Sequence, residues 1–224
     1  MNNLGKEILK RISNVVNLDE ELFVVDYVSD DPFEKLVAII LSQNTSDKNA
    51  IKALNNLKEK VGLSRKAILE ADLRVVEEAL IPGGLYKEKA KRLKLIAEKV
   101  SEDDLQRILS LPVEDARREL LNLPGVGKKT ADVFLAIYGK RTIGVDTHAA
   151  RVAKRLGIVD SEAKYEDIRK ALVEVFDFVD NYDIVHRYLI ALGRKWCKSR
   201  RPKCESCPVS SLCKYHSKSS QRIH

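Results

Sequence analysis

Two lysines in the middle of the chain stand where a phosphate could be bound and a nucleophilic amine could act. Lys128 and Lys129 follow the glycine-rich turn at residues 123–127 and open a stretch with the apolar period of a helix. Gly125 and Gly127 allow the positive φ of a tight reversal, and the first N–H groups of a helix attract anions. The pattern predicts two helices joined by a phosphate-binding hairpin. The alternative is a capped helix pair whose lysines only face solvent.

Four cysteines lie in the C-terminal part of the chain, with the spacing Cys-x6-Cys-x2-Cys-x5-Cys: Cys197, Cys204, Cys207 and Cys213. Clustered thiols in an intracellular protein favour a metal over disulfides or over four unrelated buried cysteines. Zinc usually takes two short Cys-x-x-Cys hooks, and this array contains one. An iron–sulfur cubane needs four thiolates from a compact loop, which the mixed spacing permits. From the spacing alone, the two metals are equally good candidates.

The length and charge of the chain limit the classes of protein to which it can belong. Its 224 residues can bury one full core or two compact ones. The 40 Lys and Arg against 33 Asp and Glu give a net charge of +7 and a pI near 9.1, which suits a polyanionic partner. The N-terminal segment carries charges within its apolar pattern, and no stretch is long enough to span a bilayer. We therefore expect a soluble, intracellular protein.

Nearly every segment has the apolar period of a helix, and no alternating strand of useful length is visible. Asp31 and Pro32 open a helix whose residues 33–41 are almost all apolar, so we expect that helix to be buried on all sides. Residues 81–84 (IPGG) interrupt the chain before the helical period resumes. The sequence predicts an all-α protein of about ten short helices joined by short loops.

Three of these motifs together resemble one family. The run LPGVGKKTA at residues 123–131 resembles the helix-hairpin-helix of the endonuclease III family of DNA glycosylases, in which the hairpin holds the DNA backbone and its second lysine is the nucleophile. The run GVDTH at residues 144–148 resembles the family's Val-Asp-Thr-His segment, and the cysteine spacing matches its [4Fe-4S] loop. The resemblance extends over residues 33–213. It implies that Lys129 and Asp146 are catalytic and that the four cysteines hold a [4Fe-4S] cluster.

The chemistry that the resemblance implies depends on Lys129 and Asp146. A lysine must be neutral to attack C1′ of a nucleotide, and the charge of Lys128 with the positive end of a helix favours the neutral amine. Attack expels the base and leaves a Schiff base, after which the 3′ phosphate departs by β-elimination. A nearby carboxylate can stabilise positive charge on the sugar and carry protons. Asp146 is also a candidate helix N-cap, and both roles can hold together, whereas His148 is expected to be structural.

Two further segments resemble parts of the family that enter the DNA. Residues 41–47 (LSQNTSD) resemble a segment whose Gln fills the space left by the extruded nucleotide. Asn44 aligns with that Gln and Gln43 precedes it, so either side chain could fill the gap. Residues 83–90 (GGLYKEKA) resemble a loop in which a leucine, here Leu85, acts as a wedge when a base is turned out of the duplex. The alternative is that Leu85 packs in the core.

A basic loop between the first two cysteines completes the expected DNA-binding surface. Its lysines and arginines could hold phosphates, or they could be solvated without a partner. The DNA contacts implied by the resemblance and by the charge pattern are Gln43, Asn44, Leu85, Gly125, Gly127, Lys128, Lys198, Arg200, Arg201 and Lys203.

The resemblance implies two helical domains with a DNA-binding cleft between them. Residues 25–140 would form a six-helix domain with the hairpin, and residues 1–24 plus 141–224 would form the cluster domain. The implied activity is that of a bifunctional DNA glycosylase and AP lyase that removes oxidised pyrimidines from damaged double-stranded DNA in base excision repair. We expect a monomer in a prokaryotic cytoplasm, associated with the nucleoid. The rivals are a monofunctional glycosylase, a non-catalytic DNA-binding module and a cluster-bearing redox protein.

Overall fold

The structure, a computed structural model, describes residues 2–220. Within them the chain forms thirteen α-helices, four short 3₁₀ turns and no β-strand, which confirms the all-α prediction with more helices than the ten expected. None of the helices in this range is long and apolar enough to cross a bilayer. The α-helices are α1 (Asn2–Ser13), α2 (Pro32–Leu41), α3 (Asp47–Lys60), α4 (Arg65–Glu70), α5 (Leu73–Leu80), α6 (Tyr86–Lys99), α7 (Glu102–Ser110), α8 (Val113–Leu121), α9 (Lys128–Ile137), α10 (Thr147–Leu156), α11 (Tyr165–Val175), α12 (Tyr182–Lys195) and α13 (Lys214–Ser220).

The chain divides into two compact units. The first unit is the continuous stretch Leu22–Phe134, and the second unit joins Met1–Glu21 to Leu135–His224. The point of division falls inside α9. The hairpin lysines therefore belong to the first unit, and the cysteines belong to the second.

The first unit is organised around α2. Asp31 caps this helix by accepting a hydrogen bond from the Glu34 N–H at 2.9 Å, and Pro32 occupies its first turn. Every residue of α2 except Glu34 is buried, as its apolar sequence predicts. Helices α3, α6 and α7 pack against it. Because these contacts fix the position of α2, they also fix the point at which the segment after Leu41 leaves the core.

In the second unit, α10 packs closely against α12. Asp146 caps α10 at its start, and Gly157, with φ 80°, ends it in the left-handed conformation. A Cβ at Gly193 of α12 would lie 2.7 Å from the Cβ of His148, so only glycine permits this approach of the two helices. Helices α1 and α11 complete the core of the unit. The start of α10 is thus held by its cap and by α12.

Candidate active site and metal centre

Helices α8 and α9 are joined by the predicted glycine turn. Gly125 has φ 74°, and a Cβ there would lie 2.5 Å from Cδ of Arg92, so both the backbone and the available space require glycine. The Val126 N–H donates to the Leu123 carbonyl at 3.1 Å, and both of these side chains are buried. Gly125 and Gly127 are exposed. The helix-hairpin-helix is therefore formed, with its glycine backbone facing solvent.

Lys128 and Lys129 are the first two residues of α9. The Gly127 carbonyl accepts the Ala131 N–H at 3.0 Å, which is the first hydrogen bond of the helix, so the preceding N–H groups have no acceptor within it. Lys128 is exposed and Lys129 is half-buried. The helix dipole and these N–H groups favour an anion at the turn. The arrangement can bind a phosphate and present an amine close to it.

Gln43 connects the segment after α2 to the hairpin. Its Nε2 donates to the Gly125 carbonyl and to the Thr130 hydroxyl, each at 3.1 Å, and its Oε1 accepts from Arg92 at 3.2 Å. These bonds use both ends of the amide, so the side chain is held against the protein. Asn44, the next residue, is exposed and has φ 54°. The two neighbouring residues therefore have different surroundings, and only Asn44 projects into solvent.

Three of the non-glycine residues that the structure describes have a positive φ, and all three are predicted DNA contacts: Asn44 at 54°, Leu85 at 48° and Arg201 at 51°. The left-handed conformation costs a residue with a side chain about 1–2 kcal/mol. Leu85 is also 50% exposed, so the alternative that it packs in the core is wrong. Strained residues are often found where a protein binds a ligand, and Asn44 and Leu85 both belong to the first unit.

Asp146 is observed as the N-cap of α10. Its Oδ1 accepts the Ala149 N–H at 2.7 Å and lies 4.0 Å from Nε2 of the buried His186. The Asp146 side chain keeps 18% of its surface exposed. Among the described residues, the hydrogen bond of this carboxylate engages Oδ1. The capping role is therefore present and is compatible with a second role toward a substrate.

His148 has the surroundings expected of a structural residue. It is half-buried against Gly193, and its Nδ1 lies 3.1 Å from Nη2 of Arg151. Burial lowers the pKa of His148 below its usual value, and this effect outweighs the opposing influence of the Asp146 carboxylate. A neutral, packed imidazole fits the expectation from the sequence.

Two arginines of α10 hold the backbone of the cysteine-bearing loop. The Arg151 Nε donates to the Cys197 carbonyl at 2.7 Å, and Arg155 donates to the carbonyls of Lys198 at 2.7 Å and Ser199 at 3.1 Å. The backbone at the start of the loop is thus fixed, while its charged side chains all remain exposed: Lys198, Arg200, Arg201 and Lys203. A fixed loop with solvent-facing cations is suited to phosphate contacts.

The four cysteines line one pocket of the second unit. Arg155, Trp196 and Tyr215 contribute to the same lining, and an Arg155 Nη1 lies 3.5 Å from Sγ of Cys197. No three His, Cys, Asp or Glu side chains within the described residues are grouped so as to hold a single metal ion. Four thiols around one pocket supply the ligand set of an iron–sulfur cluster, which is held by four cysteine thiolates.

The pKa values of the cysteine thiols affect how readily they can bind a metal. Burial raises the pKa of Cys204 above its usual value and that of Cys207 to about 11. Metal binding would displace the protons of both thiols. Soft thiolates are the ligands that iron–sulfur clusters require, so the donor set fits such a group.

The structure brings together some of the predicted residues and adds several that the sequence does not indicate. The four cysteines share a pocket, and Gln43 contacts the hairpin. The additional residues are the partners that hold these segments in place: Lys89, Arg92, Thr130, Arg151 and Arg155. Lys89 lies within the predicted wedge segment and Thr130 within the predicted hairpin, so both could have been noted there, whereas Arg92, Arg151 and Arg155 carry no local signal.

Two protein-family models match separate parts of the chain. The profile described as HhH-GPD superfamily base excision DNA repair protein matches residues 37–177, and the iron–sulfur binding domain of endonuclease III matches residues 197–213. The endonuclease III of Sulfolobus acidocaldarius is 34% identical over 218 residues, which cover 95% of this chain and 96% of that protein. These matches include the hairpin and the cysteine loop.

Two solved structures resemble the fold closely. A trapped endonuclease III–DNA covalent intermediate has 29% sequence identity and a TM-score of 0.76, and the match covers 99% of this chain and 96% of that one. A thermostable thymine-DNA glycosylase has 25% identity and a TM-score of 0.77, with coverages of 96% and 95%. The helical arrangement is thus shared with proteins that act on DNA bases.

Proposed function

Because the chain belongs to the HhH-GPD superfamily of base excision DNA repair proteins and is a glycosylase of the endonuclease III type, we propose that it is bifunctional. It removes oxidised pyrimidines from duplex DNA and then cleaves the strand 3′ to the abasic site. The observation that carries the proposal is the position of Lys129, in the first turn of α9 and directly after the exposed glycine hairpin. The partner is damaged double-stranded DNA, bound by a monomer in a prokaryotic cytoplasm, at the nucleoid.

The proposed reaction begins with the neutral amine of Lys129. Its lone pair forms a bond to C1′ as the bond from C1′ to the base breaks, and the base leaves with that electron pair and takes up a proton. Opening of the sugar ring gives a protonated Schiff base between Lys129 and C1′. Loss of a C2′ proton then expels the 3′ phosphate as the C3′–O bond breaks, and water hydrolyses the imine to free the lysine. The trapped covalent intermediate of a similar protein supports this route.

Asp146 is proposed as the carboxylate that assists Lys129. With Oδ1 occupied by the α10 cap, Oδ2 can accept a proton or stabilise positive charge on the sugar. The cap itself has a chemical use, because it fixes the carboxylate orientation before substrate arrives.

The remaining residues are proposed to hold and open the DNA. Gly125, Gly127 and Lys128 bind a phosphate at the hairpin, and the basic loop binds a second stretch of backbone. Leu85 acts as the wedge, and its exposure in a strained conformation supports this role. Asn44 fills the space left by the extruded nucleotide, while Gln43 braces the hairpin behind it.

The C-terminal part of the chain is an iron–sulfur binding domain, and we propose that its cluster is [4Fe-4S]. Cys197, Cys204, Cys207 and Cys213 would be its ligands. When bound, the cluster would crosslink the loop through four thiolate bonds, and no step of the reaction passes through it. The residues that act on DNA here are the exposed cations of the loop, whose backbone α10 supports.

Replacing Cys207 with serine is expected to remove the cluster and weaken DNA binding, because a loop without its crosslink no longer presents its cations in one arrangement. The wild type should contain equal amounts of iron and acid-labile sulfide, and both should be lost together in Cys207→Ser. The affinity of the variant for duplex DNA should fall about tenfold or more. Ser210→Ala, in the same pocket, is the matched control and should keep both. Zinc in the purified wild type, or an unchanged iron content in Cys207→Ser, would contradict the assignment.

A monofunctional thymine-mismatch glycosylase is the second candidate, because a thermostable thymine-DNA glycosylase shares the fold. The family resemblance implies that monofunctional relatives, including some thymine-mismatch enzymes, lack a lysine at the position of Lys129 and activate water instead. The presence of Lys129 therefore favours the bifunctional enzyme.

The proposed function is tested by incubating the protein with duplexes that each carry one lesion: thymine glycol, dihydrouracil, hydroxycytosine or a thymine mismatch. Base release is measured by mass spectrometry, and strand cleavage is measured with and without alkali. We expect release of oxidised pyrimidines with cleavage that needs no alkali. Release with cleavage only after alkali would assign the monofunctional class, and no release of any oxidised pyrimidine would overturn the proposed substrate.

A further inference from the structure

Lys89 is a fully buried lysine whose position the proposed chemistry does not explain. It lies in the first turn of α6, and its Nζ donates to the carbonyls of Leu41 at 2.8 Å and Gly83 at 2.9 Å. Burial, with the nearby charge of Arg92, lowers the pKa of Lys89 to about 8. An ammonium offers three N–H donors and a neutral amine offers two, so both carbonyls stay bonded in either state. Burying such a group is unfavourable compared with an apolar side chain of similar size.

The two carbonyls belong to the two segments that carry strained, exposed residues in this unit. Leu41 ends α2, three positions before Asn44, and Gly83 lies two positions before Leu85. The main-chain N–H of Lys89 also donates to the Leu85 carbonyl at 2.9 Å. One residue therefore holds the backbone on both sides of the wedge and at the exit of α2.

We propose that Lys89 is a positioning residue that fixes the spacing between Asn44 and Leu85, so that both side chains enter the base stack together when a nucleotide is turned out. The proposal rests on the proposed function, since it needs a duplex to be opened. Preorganised backbone reduces the cost of inserting two side chains at once. With one anchor lost, each segment would have to be ordered during opening.

A lysine in the same helix provides a matched comparison. Lys94 of α6 also donates to two carbonyls, those of Leu69 and Ala71, each at 2.7 Å. Lys94 thereby caps the C-terminal end of α4. These two bonds do not involve the segment that carries Asn44 or the segment that carries Leu85. A lysine that only supports the fold should behave like Lys94 in every assay.

The experiment compares two duplex substrates for each protein. In one, thymine glycol is paired with adenine, and in the other the same lesion stands opposite an abasic-site analogue, where it is already partly unstacked. For Lys89→Met, we expect kcat/KM on the paired lesion to fall about tenfold, because the variant would lose part of the free energy with which the protein turns the base out of the duplex. On the lesion that is already partly unstacked, kcat/KM should change little. For Lys94→Met, both values should change by the same factor. The ratio of the two rates does not depend on the fraction of folded enzyme.

The outcomes separate this inference from the proposed function. An unchanged ratio in Lys89→Met, with an active wild type, would overturn the positioning role alone. A wild type that releases no thymine glycol from either substrate would overturn the proposed function and, with it, this role. If Lys89→Met does not fold, Lys89→Gln replaces it. The amide leaves a polar group in the buried site, but its side chain is one bond shorter and cannot bond both carbonyls, so the same change in ratio is expected.

Discussion

Lys129→Gln is expected to abolish strand cleavage at abasic sites and to slow base release by about 10⁴-fold or more, the scale seen when a nucleophile is removed from other enzymes. Glutamine keeps the polarity and most of the length of the side chain, so α9 and the hairpin should be unaffected. It has no basic amine, and no Schiff base can form. Single-turnover assays on a duplex with one thymine glycol measure the loss, and thermal unfolding checks the fold.

Lys128→Gln is the matched control for this variant. Lys128 lies at the same helix end, one residue earlier, and is proposed to contact phosphate rather than to react with the sugar. Its loss should weaken DNA binding and lower the salt dependence of that binding by about one ion equivalent, while the single-turnover rate at saturation should fall far less than in Lys129→Gln. Equal chemical defects in the two variants would contradict the distinction between nucleophile and phosphate contact.

Asp146→Asn is expected to lower the rate of the chemical step by about 10²-fold or more, because it removes the charge and the proton acceptor proposed to assist Lys129. Stability should change little, since asparagine caps a helix about as well as aspartate. Single-turnover rates and the free energy of unfolding, measured on the same preparation, separate the two roles. An active Asp146→Asn variant would leave Asp146 as a cap alone.

Two controls accompany this variant. Asp146→Ala should lose both roles, with an additional stability loss of about 1 kcal/mol for the missing cap. Asp31→Asn changes another N-cap aspartate, that of α2, and should affect neither the rate nor the stability. A rate defect in Asp31→Asn would indicate that capping aspartates act on activity through the fold.

The sequence predicts those parts of the molecule whose causes are local. The burial of α2 follows from its continuous apolar run, and the hairpin follows from Gly125 and from helical spacing on both sides. The helix α4 is not predicted, because its six residues are too few to show a helical period. The count of about ten helices is too low for the same reason.

The contacts that hold the site together are not visible in the sequence, because they join distant residues. Lys89 bonds the Leu41 carbonyl across 48 positions, and Gln43 bonds the Gly125 carbonyl across 82. No local pattern distinguishes Gln43 from Asn44, whereas the structure shows one amide held by three partners and the other exposed. The strain at Leu85 likewise becomes visible only with the backbone angles.

The most direct test of the account is to identify the amine that bonds to DNA. The wild type is incubated with a duplex that carries one thymine glycol in the presence of borohydride, which reduces a Schiff base to a stable amine. The adduct is digested, and the modified peptide is identified by mass spectrometry. We expect a single adduct on Lys129, absent from Lys129→Gln and retained in Lys128→Gln. An adduct on another amine, or base release without any adduct, would contradict the assignment of Lys129 as the nucleophile.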